Sequence, residues 1–192
     1  MIFYNVDFPQ LLETQYLIDD TTKNRMINTV LLQKDTANYH GGYTFHVRDN
    51  HGDFKKLYQY FFDTVSKLFG PLKLSPKHKT WCWANVYNCN DFKTNMHDHK
   101  HASSVNAVYY LKIPTDIDLN EGGLDIKLGN NIINFLPEDG DLIIMPSDLL
   151  HEPQSHSSDQ FRIAINMEIC TINNYSTYYL EDKIHEYARP KL

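Results

Sequence analysis

The sequence predicts a mainly β protein with flanking α-helices, on the strength of two observations. From Thr80 onward, short segments rich in β-branched and aromatic residues alternate with Gly, Asn, Asp and Pro. Before Thr80, apolar residues recur at helical spacing. Many short strands that follow a helical layer favour an antiparallel sandwich or barrel flanked by helices. A chain of 192 residues suits one such domain.

Two stretches in the first third of the chain have the apolar spacing of helices. The longer one runs from Asp53 to Phe69, and Gly70-Pro71 ends it. Its apolar residues at helical intervals are Phe54, Leu57, Tyr58, Phe61, Val65, Leu68 and Phe69. A shorter helix is predicted from Asn24 to Gln33. We expect these helices to pack as one layer against the sheet.

Six strands are predicted in the remainder of the chain. They are Trp81–Tyr87, Val105–Ile113, Leu124–Leu128, Ile132–Leu136, Leu142–Met145 and Arg162–Ile169. Turns are predicted at Gly122-Gly123, at Asn130-Asn131 and from Glu138 to Asp141. The single domain 1–192 is thus expected to have a helical N-terminal layer at about 1–75, a β core at about 80–170 and a C-terminal helix at about 176–189.

Composition limits the classes of protein to consider. The net charge of −6 argues against a nucleic-acid partner. The three cysteines have no paired spacing, which argues against a disulfide framework and favours reduced thiols in a cytoplasmic protein. No apolar stretch approaches the length of a membrane span. We therefore expect no membrane partner.

A histidine-rich segment, N-M-H-D-H-K-H, extends from Asn95 to His101. Side chains alternate faces in an extended segment, so His97 and His99 should point the same way and Asp98 the opposite way. His151 would add a third imidazole from another strand end. Neutral imidazole suits iron, zinc, copper and nickel. The segment therefore predicts a metal site, and the alternative is a histidine-rich surface loop.

Arg162 begins a strand whose two faces differ clearly. Ile163, Ile165, Met167 and Ile169 lie on one face, and Arg162, Ala164, Asn166 and Glu168 lie on the other. The apolar face can pack under the helices, which leaves Arg162 facing a barrel interior. An unpaired guanidinium is costly there. A small-molecule carboxylate is one suitable partner, and a salt bridge to Glu168 or to another acid is the alternative.

The order of these motifs resembles that of the iron(II)- and 2-oxoglutarate-dependent oxygenases. The motifs are Asn85 and Tyr87, then His97 and His99, the strand Val105–Pro114, Gly122-Gly123, P-E-D-G-D-L-I-I-M-P, His151 and Arg162. The similarity covers roughly residues 81–169 and is greatest to the small bacterial and phage branch. For a phage-encoded protein the location would be the host cytoplasm. The resemblance implies a double-stranded β-helix (jelly roll) with iron at its open mouth.

The same resemblance implies roles for single residues. His97 and His151 would be the two histidine ligands of iron, and Arg162 would bind the distal carboxylate of 2-oxoglutarate. Asn85 and Tyr87 would help to hold this cosubstrate; an edge-strand polar residue and a core tyrosine are the alternative interpretations. The implied cofactors are Fe(II), 2-oxoglutarate and O2.

The chain departs from the family pattern at one position. The usual motif is His-x-Asp or His-x-Glu, whereas His99 stands where the carboxylate belongs. His97, His99 and His151 are the predicted ligands, and Asp98 is the main alternative for the third. In a further alternative, His99 and His101 form the pair and His97 does not bind the metal directly.

The activity implied is that of a 2-oxoglutarate-dependent dioxygenase, with hydroxylation of a C–H bond as the default outcome. The expected substrate is a small molecule, a peptide or a protein side chain. A cupin-like dioxygenase or isomerase that uses no 2-oxoglutarate is one alternative. A jelly-roll binding module, with incidental histidines or structural zinc, is the other.

Overall fold

Two antiparallel sheets pack against each other, and two helices cover the outer face of the larger sheet. The computed structural model describes residues 12–33, 38–39, 42–46, 52–74, 81–89, 95–100, 103–118 and 121–171. The helices are α1 (Asp20–Gln33) and α2 (Gly52–Phe69). The strands are β1 (Leu12–Gln15), β2 (Asn38–Tyr39), β3 (Gly42–His46), β4 (Trp81–Tyr87), β5 (Val105–Lys112), β6 (Leu124–Leu128), β7 (Asn131–Phe135), β8 (Asp141–Pro146), β9 (His151–Pro153) and β10 (Arg162–Ile169).

The larger sheet has seven strands in the order β1-β8-β5-β10-β4-β3-β2, and the smaller has three in the order β7-β6-β9. In the larger sheet β10 lies between β4 and β5 and pairs with both in antiparallel fashion. The register places Arg162 opposite Tyr87 and Glu168 opposite Trp81. Residues from three different parts of the chain therefore meet at the centre of this sheet.

The outer face of the larger sheet forms the main core with the helices. From β10, the buried apolar residues Ile163, Ile165, Met167 and Ile169 take part, as the alternation predicts. The helices contribute Met26, Val30, Phe54, Leu57, Tyr58, Phe61 and Val65. Fully burying such a side chain contributes roughly 1.5–3 kcal/mol. This face therefore fixes which way β10 is turned, and with it the inward direction of Arg162.

A second core fills the space between the two sheets. It contains Val108, Tyr110, Leu124, Ile126, Ile143, Met145 and Ala164. Ala164 comes from the same face of β10 as Arg162, so this face lines the jelly-roll interior. The interior thus combines an apolar filling with polar side chains at the strand ends.

The predicted elements agree with the structure for most of the described residues. The strands at 81–87, 124–128 and 162–169 have the predicted bounds, and α2 begins one residue before its predicted start. The predicted turn at Asn130-Asn131 is wrong by one residue: the two-residue turn is Gly129-Asn130, and Gly129 adopts a φ of 62°. The predicted helix at about 176–189 lies outside the described residues.

The N-terminal third is less helical than expected. Besides α1 and α2 it supplies β1, β2 and β3, and all three strands join the larger sheet. These strands are short, and β1 alternates between half-buried and exposed side chains, so they carry little apolar signal. Among the described residues, no helix combines the length and the apolar character needed to cross a membrane.

Candidate metal centre and anion site

Backbone pairing brings the three predicted histidines together. His97 and His151 form an isolated antiparallel bridge, in which each amide donates to the other carbonyl over 3.0 and 2.9 Å. The amide of His99 donates to the carbonyl of Ser147 over 2.6 Å. The alternation argument is confirmed on this point, because His97 and His99 both direct their rings toward His151. One ring nitrogen from each residue lies within 4.8 Å of the other two.

The proton positions on two of the rings follow from their partners. Nδ1 of His97 lies 2.8 Å from the carbonyl oxygen of Asn95, and Nδ1 of His151 lies 2.9 Å from that of Leu149. A carbonyl oxygen can only accept a hydrogen bond, so Nδ1 carries the proton in each ring. Nε2 then keeps its lone pair. This is the tautomer that a metal ligand requires.

Burial keeps these two imidazoles neutral. Burial, followed by the nearby His99, lowers the pKa of His97. Burial also lowers the pKa of His151 to about 3, and the two neighbouring rings add to the effect. His151 is only 4% exposed. Neutral imidazoles crowded around one point can bind a cation without first losing protons.

His99 has different surroundings from the other two histidines. Its Nδ1 lies 2.7 Å from Oε1 of Glu168, and its ring stacks on Trp83 with 6.1 Å between the ring centroids. Neither contact was predicted, although the alternation of β10 places Glu168 on the inner face. In the sequence, the shared face of Arg162 and Glu168 indicates only the alternative of an ion pair between those two residues.

Asp98, the main alternative for the third ligand, lies outside the cluster of metal-binding atoms. Its carboxylate is 2.8 Å from Nζ of Lys100 and also accepts the amide of Lys100 over 3.3 Å. Of the residues in the other alternative, His101 lies outside the described ranges. The described geometry brings together the predicted set of His97, His99 and His151.

Among the described residues, Arg162 is the largest of the fully buried side chains, at 1% exposure. Its Nη1 donates to the carbonyls of Gly122 and Gln154 over 2.6 and 2.8 Å, and the carbonyl of Gly123 is 3.4 Å away. Nε is buried without a hydrogen-bond partner. Among the described residues, no carboxylate lies within ion-pair distance of this guanidinium, so the alternative of a salt bridge to Glu168 is not what the structure contains. The Nε edge is suited to an anion from outside the chain.

Two tyrosines lie close to Arg162, and Asn85 contacts one of them. The Tyr87 ring lies beneath the guanidinium, 4.4 Å from its central carbon, which is cation–π distance. Nδ2 of Asn85 donates to the Tyr87 hydroxyl over 3.3 Å. Tyr110 is buried and close enough to Arg162 and Tyr87 for charge interactions, while burial raises the pKa of its hydroxyl. The sequence pointed to Asn85 and Tyr87, but it did not point to Tyr110.

Gly122 has a function beyond the predicted turn. It adopts a φ of +69°, a conformation that favours glycine. A Cβ at this position would lie 3.0 Å from Cδ1 of Ile117 and 4.0 Å from Nη1 of Arg162. Gly122 therefore lets its carbonyl approach the guanidinium closely and hold it in place.

Fold and site together define a jelly-roll protein with an inward-facing histidine cluster and a buried arginine. No protein-family model matches the sequence, and no curated protein matches it either. Solved structures do match. A prolyl hydroxylase from Trichoplax adhaerens, in complex with a peptide fragment of the hypoxia inducible factor oxygen degradation domain, is 15% identical; the match covers 88% of this chain and 87% of that one, with a TM-score of 0.70.

Two further structures extend the comparison. A prolyl-4-hydroxylase from Pseudomonas putida is 13% identical over 84% of this chain and 92% of that one, with a TM-score of 0.66. The viral collagen prolyl hydroxylase of Paramecium bursaria Chlorella virus-1, a 2-oxoglutarate complex, is 13% identical over 86% and 98%, with a TM-score of 0.64. The chain therefore has the double-stranded β-helix fold of 2-oxoglutarate- and iron(II)-dependent oxygenases, as the sequence resemblance implied.

Proposed function

We propose that this protein is an Fe(II)- and 2-oxoglutarate-dependent oxygenase that hydroxylates a C–H bond. One observation carries the proposal: a three-histidine cluster and a buried arginine, which lacks a carboxylate partner among the described residues, occupy one jelly-roll interior. A metal-binding cluster alone would fit many enzymes. The additional anion site is what a cosubstrate with a carboxylate at each end requires.

The histidine cluster fits iron. His97, His99 and His151 would hold the ion through Nε2, which is an acceptable ligand set for Fe(II). Three protein ligands would leave the bound ion open to a cosubstrate, which this chain's own residues would orient. Asp98 remains the alternative third ligand, and its pairing with Lys100 speaks against it.

The buried arginine fits the distal carboxylate of 2-oxoglutarate. Nη1 is held by backbone carbonyls, so the edge formed by Nε and Nη2 can donate two parallel hydrogen bonds to a carboxylate. The ring of Tyr87 supports the guanidinium from below, and Asn85 holds the hydroxyl of Tyr87. We infer that Asn85 acts through Tyr87. We infer that the Tyr110 hydroxyl, which is close to Arg162 and Tyr87, adds a further hydrogen bond to the cosubstrate.

Iron and 2-oxoglutarate, when bound, supply the oxidising power to insert one oxygen atom of O2 into a substrate C–H bond, with succinate and carbon dioxide as coproducts. The protein contributes orientation and exclusion of water. Arg162 fixes one end of the cosubstrate, and the histidines fix the position of the other. The apolar core beside Arg162 keeps this end of the interior dry.

The substrate class that we propose is a peptide or protein side chain, with a small metabolite as the second choice. The similarity to prolyl hydroxylases, one of them bound to a peptide fragment, makes proline-containing peptides the first library to test. The net charge of −6 argues against a nucleic-acid substrate.

The deciding experiment is an anaerobic titration of the iron(II)-loaded protein with 2-oxoglutarate, monitored by visible absorbance. We expect a metal-to-ligand charge-transfer band in the wild type and a much weaker 2-oxoglutarate affinity in Arg162→Ala. If iron binds stoichiometrically but no such band appears, the protein is a cupin-like metal enzyme and the proposal is wrong. If no iron binds, the protein is a binding module.

A further inference from the structure

The three histidine rings of the cluster are not held in the same way. His97 and His151 each donate Nδ1–H to a backbone carbonyl, whereas His99 donates to the carboxylate of Glu168 over 2.7 Å. His99 is also the residue that occupies the place of the usual ligand carboxylate. His99 therefore replaces the usual ligand carboxylate, and its ring is itself in contact with another carboxylate, that of Glu168.

The Glu168 carboxylate is in an environment where it needs a partner. The residue is 5% exposed, and an unpaired charge buried to this degree is costly. In the part of the chain that the structure describes, His99 is the polar partner of this carboxylate. The pairing is therefore a specific one, and two segments far apart in sequence combine to make it.

The surroundings fix both partners. Tyr58, on α2, donates its hydroxyl to the backbone carbonyl of Glu168 over 2.8 Å in a buried contact. On the other side, Trp83 stacks on the His99 ring at an interplanar angle of 30°. His99 is thus held at its edge by Glu168 and on its face by Trp83. Because Nδ1 is engaged by Glu168, Nε2 is the nitrogen that remains for a metal shared with the other two imidazoles.

We propose that Glu168 is a positioning residue of the metal centre, which orients His99 and supplies the negative charge that a ligand carboxylate supplies in the usual His-x-Asp or His-x-Glu motif. The inference rests on the proposed function, since it requires a metal bound by the three histidines. A carboxylate that accepts the second N–H of a ligand histidine fixes its tautomer and makes its other nitrogen a stronger donor. The centre then regains one negative charge without giving up an imidazole ligand.

Cobalt(II) titration of the metal-free protein tests this directly, because its visible bands report binding without any turnover. We expect Glu168→Gln, which keeps the shape and removes the charge, to weaken Co(II) binding roughly ten- to a hundredfold. The matched control is Glu152→Gln, the same change at a partly exposed carboxylate next to His151. It should alter the affinity less than about fivefold, as expected for a charge near solvent.

The His99→Asp variant serves as a second background, which distinguishes the effect of Glu168 on the metal ligand from its effect on packing. His99→Asp restores a ligand carboxylate, and Glu168 then has no imidazole to orient. In this background Glu168→Gln should change Co(II) binding much less than in the wild type, because the ligand carboxylate already supplies the charge. A purely structural role would weaken binding equally in both backgrounds and overturn the inference. Because the double variant is compared with His99→Asp alone, the test survives even if Glu168→Gln folds poorly by itself.

The remaining outcomes distinguish this inference from the proposed function. A wild type that binds no Co(II) would overturn the metal centre and the inference together. A wild type that binds one Co(II) per chain, with Glu168→Gln equal to it, would overturn the role of Glu168 and leave the metal centre standing. The result we expect is weakened binding in Glu168→Gln, a Glu152→Gln affinity within about fivefold of the wild type, and a much smaller effect of Glu168→Gln in the His99→Asp background.

Discussion

His97 and His151 are joined through their backbones, each amide donating to the carbonyl of the other over 3.0 and 2.9 Å. The main chain therefore holds the two residues side by side, whichever side chains they carry. We predict that His151→Ala abolishes stoichiometric Fe(II) binding while the fold persists. The loss of stability should stay near the roughly 1 kcal/mol typical of point substitutions. Metal analysis after anaerobic loading, beside a urea unfolding curve, would check both parts; retained iron would refute the ligand assignment.

The third ligand can be identified by comparing two substitutions. Asp98→Asn should leave metal binding nearly unchanged, because this carboxylate is paired with Lys100 and lies outside the cluster. His99→Ala should remove most of the affinity. Isothermal titration with Co(II) measures both. If the effects are reversed, Asp98 is the ligand and the segment must rearrange when metal binds.

Alternation along single strands predicted much of this site. The period-two pattern of β10 correctly separates the isoleucine face from the face of Arg162, and the same argument correctly places His97 and His99 together. Such patterns are local, because side chains in a strand alternate whatever the partner strand is. They specify a direction for each side chain. They do not specify what it meets.

Pairing between distant segments accounts for what the sequence did not predict. Glu168 meets His99 rather than Arg162 because the register of the sheet and the bridge at His97 carry the histidine segment to the far end of β10. Gly122 meets Arg162 across a separation of 40 residues. Backbone contacts of this kind leave no periodic trace in the sequence, since a carbonyl is present at every residue.

The guanidinium of Arg162 is expected to matter through its shape as well as its charge. Arg162→Lys keeps the charge but loses the Nε edge and the planar contact with Tyr87. We predict that 2-oxoglutarate binding weakens by about 2–5 kcal/mol, the range for truncation of a buried charged pair, while Fe(II) binding is retained. Titration of the charge-transfer band in the wild type and in Arg162→Lys gives the two 2-oxoglutarate affinities. If they are equal, the distal carboxylate of 2-oxoglutarate does not bind at Arg162.

Comparing substitutions at two glycines distinguishes the effect of backbone strain from the effect of losing the support of Arg162. Gly122 and Gly129 both have positive φ, +69° and +62°, but only at Gly122 would an added Cβ meet side chains. Each substitution by alanine should cost roughly 1–2 kcal/mol of folding free energy through the left-handed backbone. Only Gly122→Ala should also weaken 2-oxoglutarate binding, because it displaces the carbonyl that holds Nη1. Thermal unfolding together with cosubstrate titration tests the pair, and equal cosubstrate affinities would contradict this role for Gly122.

The metal-free protein should become less stable as the pH falls below the ordinary histidine pKa of 6.5. In the folded chain burial lowers the pKa of His151 to about 3 and lowers that of His97 in the same direction. Below pH 6.5 the unfolded chain therefore binds protons that the folded chain excludes, so stability present above this pH is lost as the pH decreases. For His151 the loss should approach about 1.4 kcal/mol per pH unit, and His97 adds to it in the same direction. Urea midpoints in the presence of a chelator, at about pH 7.5 and about pH 5.5, measure the effect.

The control is His151→Asn, whose side chain cannot be protonated in this pH range. This variant should lose less stability than the wild type over the same interval. Equal losses in the two proteins would show that other groups determine the acid sensitivity.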